Sequence, residues 1–121
     1  MALRDFPESD WRIFRKLRKV ALERFCERAL NELRAMTVEV PSSHHQRYLE
    51  VFKLVDKRDD ELARTFNDPR RSTALIQLRL IRAYGLITDD EMACFSADTQ
   101  AAVRLFAPTV NKAAADKDAQ R

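Results

Sequence analysis

The sequence predicts an all-α fold, a helical bundle of about five helices. Three observations carry that expectation. The chain has one glycine in 121 residues, whereas strand hairpins and phosphate-cradling loops both consume glycine. Apolar residues recur at steps of three and four over long stretches. Helix start and stop signals flank those stretches. Together they give two long antiparallel helices, an apolar third helix and two short C-terminal helices. Residues 1–110 read as a single helical-bundle domain and residues 111–121 as a disordered C-terminal tail, rich in Ala, Asp and Lys without large apolar side chains.

The first helix organises the rest. Ser9 to Met36 reads SDWRIFRKLRKVALERFCERALNELRAM, with no Gly or Pro. Ser9 or Asp10 is the expected side-chain cap. Trp11, Phe14, Leu17, Ala21, Leu22, Phe25, Ala29, Leu33 and Met36 fall on one broad stripe. A rod of about 40 Å results, and it needs a partner along most of its length because isolated helices are marginal in water. Arg18 falls within the stripe, so its stem packs and its head reaches water, or it meets a carboxylate of another helix. Lys19–Glu23 and Arg28–Glu32 have pairing spacing.

Thr37 to Pro41 is β-branched and ends in proline, which stops this helix. Ser42 or Ser43 caps a second helix running to about Asn67, with Tyr48, Leu49, Phe52, Val55, Leu62 and Phe66 as its apolar positions. The charge run DKRDDE between Val55 and Leu62 reads as solvated helix braced by Lys57–Glu61 and Asp60–Arg64. The short connection makes helices one and two an antiparallel hairpin. Asp68 and Pro69 suit the N-cap and first turn of a third helix ending at Tyr84, apolar on several faces. Gly85 fits the left-handed position that closes it, with Leu86 as the accompanying contact. Thr88-Asp-Asp-Glu91 is a capping box flanked by Ile87 and Met92, placing a fourth helix over about Asp89 to Phe95. Ser96 starts the last helix, Ala97 to Ala107, with Ala101, Val103, Leu105 and Phe106 as packing candidates.

The stretch LIRAYGLITDDEM resembles the helix–GLIT–acidic–helix module found at the C-termini of many bacterial proteins, the SHOCT-type motif. The resemblance covers only this short part of the chain. The basic, leucine-rich continuation usual in that module is replaced by ACFSADTQ. The capping chemistry of Gly85 and of Thr88 to Glu91 accounts for the resemblance in full, and it assigns no family to the whole chain.

Chemistry is sparse elsewhere. His44 and His45 are adjacent and belong to no ExxH or HExxH pattern, so no metal or other cofactor is expected. No nucleophile elbow, P-loop or dinucleotide fingerprint occurs, and Cys26 stands mid-helix far in sequence from either histidine. The protein reads as non-enzymatic. The N-terminal residues lack a secretory apolar core, no run spans a membrane, and two unpaired cysteines suit a reducing compartment. The expected location is the cytoplasm.

Two charged features stand out. Arg12, Arg15, Lys16 and Lys19 gather on one face of the first helix and form a candidate polyanion-binding patch, in a chain of net charge +3. Nucleic-acid binding there is sequence-independent if it occurs, and it is not the favoured reading. Arg70, Arg71 and Ser72 open the third helix, where cations oppose the helix dipole, and form a candidate anion site. The favoured account there is a salt bridge to the DKRDDE segment or to Glu27. The favoured function is protein–protein association, as a homodimer or with another protein. The long rod and the apolar third helix offer more apolar surface than two short helices cover.

Overall fold

The structure is a computed structural model that describes residues 6–38 and 41–105. The tail at 111–121, and Phe106 with it, lie outside the described residues. Among those residues there are five helices and no strand: α1 (Glu8–Thr37), α2 (His44–Phe66), α3 (Arg71–Ala83), α4 (Asp89–Met92) and α5 (Ala97–Leu105). The all-α fold and the hairpin of two long helices are as the sequence predicts.

The core lies at one end of the hairpin. Phe14, Ala21 and Phe25 of α1 and Phe66 of α2 are buried with Ala74, Leu75, Leu78 and Ile81 of α3. Leu86, Ile87, Met92, Phe95, Ala102 and Val103 close it from the C-terminal side. Phe6, ahead of α1, meets Phe14 edge-on at 6.2 Å between ring centres. The packing residues of α5 are Ala102 and Val103, whereas Ala101 and Leu105 are exposed. In the apolar third helix Ala74, Leu75, Leu78 and Ile81 are enclosed by its own chain, Leu80 and Ala83 are half-buried and Ile76 is exposed, so it leaves less surface for a partner than its composition suggests.

Local signals set most of the helix ends. The Ser43 hydroxyl accepts from the Gln46 amide at 3.0 Å and caps α2. Gly85 has φ 69°, its amide donates to the Arg82 carbonyl, and the Leu86 amide donates to the Ile81 carbonyl. This pair of bonds is a complete Schellman closure. The Thr88 and Glu91 side chains form the reciprocal box at α4, with Ile87 and Met92 both buried beside it.

Two caps differ from expectation. α1 begins after Pro7 with no side-chain cap. Asp10 is instead fully enclosed and serves α5: its carboxylate accepts from the Ser96 amide, the Ser96 hydroxyl and the Thr99 hydroxyl. The cap of α3 is Arg70 and not Asp68, which adopts φ 56° in the connection. Aspartate tolerates that left-handed conformation better than most residues, so the proline turn is completed before the helix starts.

The ion pairs also rearrange. Arg28 donates to the Tyr84 and Gly85 carbonyls, and Glu32 pairs with Arg58 across the hairpin at 2.7 Å, so the expected Arg28–Glu32 pair is replaced. Arg18 is half-buried and pairs with no carboxylate among the described residues. It lies over the Phe66 ring and donates to the Phe66 carbonyl at 2.5 Å. That carbonyl is one of the unpaired acceptors at the negative end of α2, which a cation stabilises.

Candidate protein-association surface

The hairpin is built on two matching rows. In α1 the row is Arg18, Leu22, Phe25, Ala29, Glu32 and Met36; in α2 it is Arg47, Val51, Leu54, Arg58, Glu61 and Thr65. Both rows step by four and three, and every member is buried or half-buried. This is the spacing with which two helices keep one face together. Arg58 centres the α2 row. Its guanidinium donates to both Glu32 oxygens, at 2.8 and 2.7 Å, and to Glu61 at 3.0 Å. The hydrogen bonds to Glu32 first, and the two carboxylate charges, raise the Arg58 pKa further above its already high ordinary value.

A residue one place after a row member is turned by about 100°. Because the helices run in opposite directions, that turn leads to the same side of the hairpin on both. On α1 those residues are Cys26, Leu30 and Leu33; on α2 they are Tyr48, Phe52 and Val55. Leu30 is 58% exposed, Tyr48 68%, Phe52 60% and Val55 46%. The other side of α1 is occupied. There Arg24 makes a two-pronged pair with Glu91 and donates to the Leu86 carbonyl, and Arg28 clamps the Gly85 turn.

The uncovered flank follows from helix length. Beyond Phe25, α1 holds no buried residue; before Glu61, α2 holds none. The third to fifth helices are too short to reach these outer halves, which extend about 18 Å past the core. Full burial of a large apolar side chain is worth about 1.5–3 kcal/mol, so four such residues left half open are a substantial unused drive for association. Charge is graded along the same flank. Glu23 and Asp59 are exposed at its inner end, and His45 is exposed at the tip beside His44 and Arg47.

The sequence-predicted charged sites lie elsewhere. Arg12, Arg15, Lys16 and Lys19 are all exposed on the first half of α1. Arg12 pairs with Glu8 at 3.5 Å, and the Arg15 guanidinium lies over the Trp11 ring. Arg70 pairs with Asp68 at 2.9 Å. Arg71 donates to the Phe6 carbonyl and pairs with Glu8 at 3.1 Å, while Ser72 is exposed. Both arginines thus hold the chain on either side of α1 and α3, with Glu8 and Asp68 as partners in place of DKRDDE or Glu27.

Glu91 serves two masters. It closes the α4 box and receives Arg24, and that hydrogen bond first, with the Thr88 amide second, holds its carboxyl down at about 2. Among the described residues no group of three His, Cys, Asp or Glu is placed to hold a metal, and no helix is long and apolar enough to cross a membrane. Comparison with protein-family models, curated proteins and solved structures returns no match.

Proposed function

We propose that the protein acts by binding protein through the flank formed by Leu30, Leu33, Tyr48, Phe52 and Val55, without catalysing a reaction. The observation that carries this reading is the outer hairpin: two amphipathic helix halves, no buried residue in either, and a continuous apolar row shared between them. Scattered apolar residues on a surface are ordinary; a contiguous row that includes two aromatic rings marks an interaction site. A cytoplasmic setting suits Cys26 and Cys94, both free thiols.

Polyanion binding by Arg12, Arg15, Lys16 and Lys19 is the weaker proposal. Arg12 and Arg15 are already engaged by Glu8 and Trp11, and no base-reading element accompanies them.

The test compares wild type with a Tyr48→Glu, Phe52→Glu chain, each immobilised and exposed to extract of the native host and to free wild-type chain. Wild type retains protein that the variant does not. Identical retention by both sinks the reading, and retention of nucleic acid alone, lost in moderate salt, replaces it with the polyanion alternative.

A further inference from the structure

Resting on that reading, we infer that the occupant of the flank is a second copy of this chain, packed antiparallel about a two-fold axis so that two hairpin tips make a four-helix bundle. Three features select this partner.

The first is self-complementarity. A two-fold interface sets the same patch against itself. The centre of this patch is apolar on both helices, with Leu30, Leu33, Phe52 and Val55 near one level of the hairpin and Tyr48 beyond them toward the tip. Nothing charged lies on the row between Leu30 and Leu33 or between Phe52 and Val55 on the same side.

The second is charge. Glu23 and Asp59 lie at the inner end, His45 at the outer end with His44 and Arg47 close by in sequence. Cross-hairpin contacts such as Arg58–Glu32 and Arg47 to the Val38 carbonyl fix the level of each residue. An antiparallel two-fold sets each helix against its own counterpart and brings Asp59 of one copy to the level of His45 of the other on facing α2 helices. A parallel arrangement sets α1 of one copy on α2 of the other and brings Glu23 against Asp59, acid on acid.

The third is size. The flank from Glu23 and Asp59 to the tip is about 21 Å long and two helix diameters, roughly 20 Å, wide. Its footprint of about 400 Å² on each copy totals about 800 Å², below a standard specific interface and in the range of weak, transient association. The dimer is therefore expected to be weak and concentration-dependent, and its two hairpins cross at about 20°.

The experiment uses the full chain with Cys26→Ser and Cys94→Ser. Sedimentation of this chain from about 1 to about 300 µM follows the rise from 14.1 kDa to twice that mass. Phe52→Glu and, separately, Val55→Lys abolish the rise; both sites are exposed, so at about 1 µM, where wild type is monomeric as well, helical circular dichroism is the same in each. Single-cysteine chains His45→Cys and Asp59→Cys are then mixed under mild oxidation. The expected product is the mixed 45–59 disulfide in several-fold excess over 45–45 and 59–59. Dominance of the like pairs overturns the antiparallel arrangement, and a mass rise insensitive to both flank variants overturns the site. A chain that stays monomeric yet captures a different host protein through Phe52 overturns self-pairing and leaves the association reading standing. A monomer that captures nothing overturns both.

Discussion

Thr99 donates its hydroxyl to a carboxylate oxygen of Asp10 at 2.6 Å, across 89 positions of sequence. The other contacts of that carboxylate are the Ser96 amide at 2.9 Å and the Ser96 hydroxyl at 2.7 Å. The first turn of α1 is thus the N-terminal cap of α5, and a buried negative charge sits at the positive end of that helix.

Asp10→Ala leaves three donors facing a closed space. The expected loss is about 2–3 kcal/mol in urea unfolding, with faster amide hydrogen exchange concentrated in α5. Adding Thr99→Val to Asp10→Ala costs little more, because the acceptor has already gone. Full additivity of the two changes counts against the cap.

Arg58 separates two carboxylates that would otherwise face each other in the hairpin row. Arg58→Met removes the cation and leaves Glu32 and Glu61 in mutual repulsion, for an expected loss of about 2 kcal/mol, since these side chains keep some contact with water. Arg58→Lys recovers part of it, lacking the two-pronged geometry. Adding Glu32→Gln to Arg58→Met restores stability; a double variant no better than the single one contradicts the arrangement.

The Glu91 carboxyl, held at about 2 against an ordinary 4.5, gives stability with a defined pH window. A group whose pKa is lowered by folding favours the folded state once it is ionised in both states. Its contribution is therefore complete above about 4.5 and is lost as pH falls toward 2. Glu91→Gln removes that dependence. The difference in urea midpoint between wild type and Glu91→Gln is expected to shrink steadily from pH 5 to pH 2; a constant difference contradicts the Arg24–Glu91 pair as its source.

Thr65 is fully buried in the α2 row, and its hydroxyl has no hydrogen-bond partner among the described residues. Thr65→Val keeps the shape and removes the unsatisfied group. A gain of about 0.5–1.5 kcal/mol in thermal or urea unfolding is expected. Destabilisation means the hydroxyl has a role that its surroundings conceal.

What could be read from the amino acids divides by range. The Gly85 closure, the Thr88–Glu91 box and the Ser43 cap were legible because each is settled within a few residues. Asp10 was not, since its partners lie at the other end of the chain and a short acidic residue near a helix start looks like a local cap. The α2 face was legible only in part. Tyr48, Phe52, Val55, Leu62 and Phe66 form an apolar row, and periodicity alone turns such a row inward. That row packs only at its base, through Phe66 and Leu62; over the rest of α2 the packed row is the one beside it, which contains Arg47, Arg58, Glu61 and Thr65. The opposite charges of Glu32 and Arg58 were its only sign. The basic residues of α1 read as surface from their spacing and are exposed, yet nothing in the sequence ties Arg71 to Phe6 and Glu8.

The outer hairpin, lacking any fully enclosed side chain, has little of its own to resist opening. In a dilute sample residues 31–37 of α1 and 44–56 of α2 should exchange their amides and meet proteases sooner than the phenylalanine-rich end. Raising concentration, or supplying whatever it docks with, would then order the arm and fasten the complex in a single step, so that occupancy can be read directly as protection from cleavage.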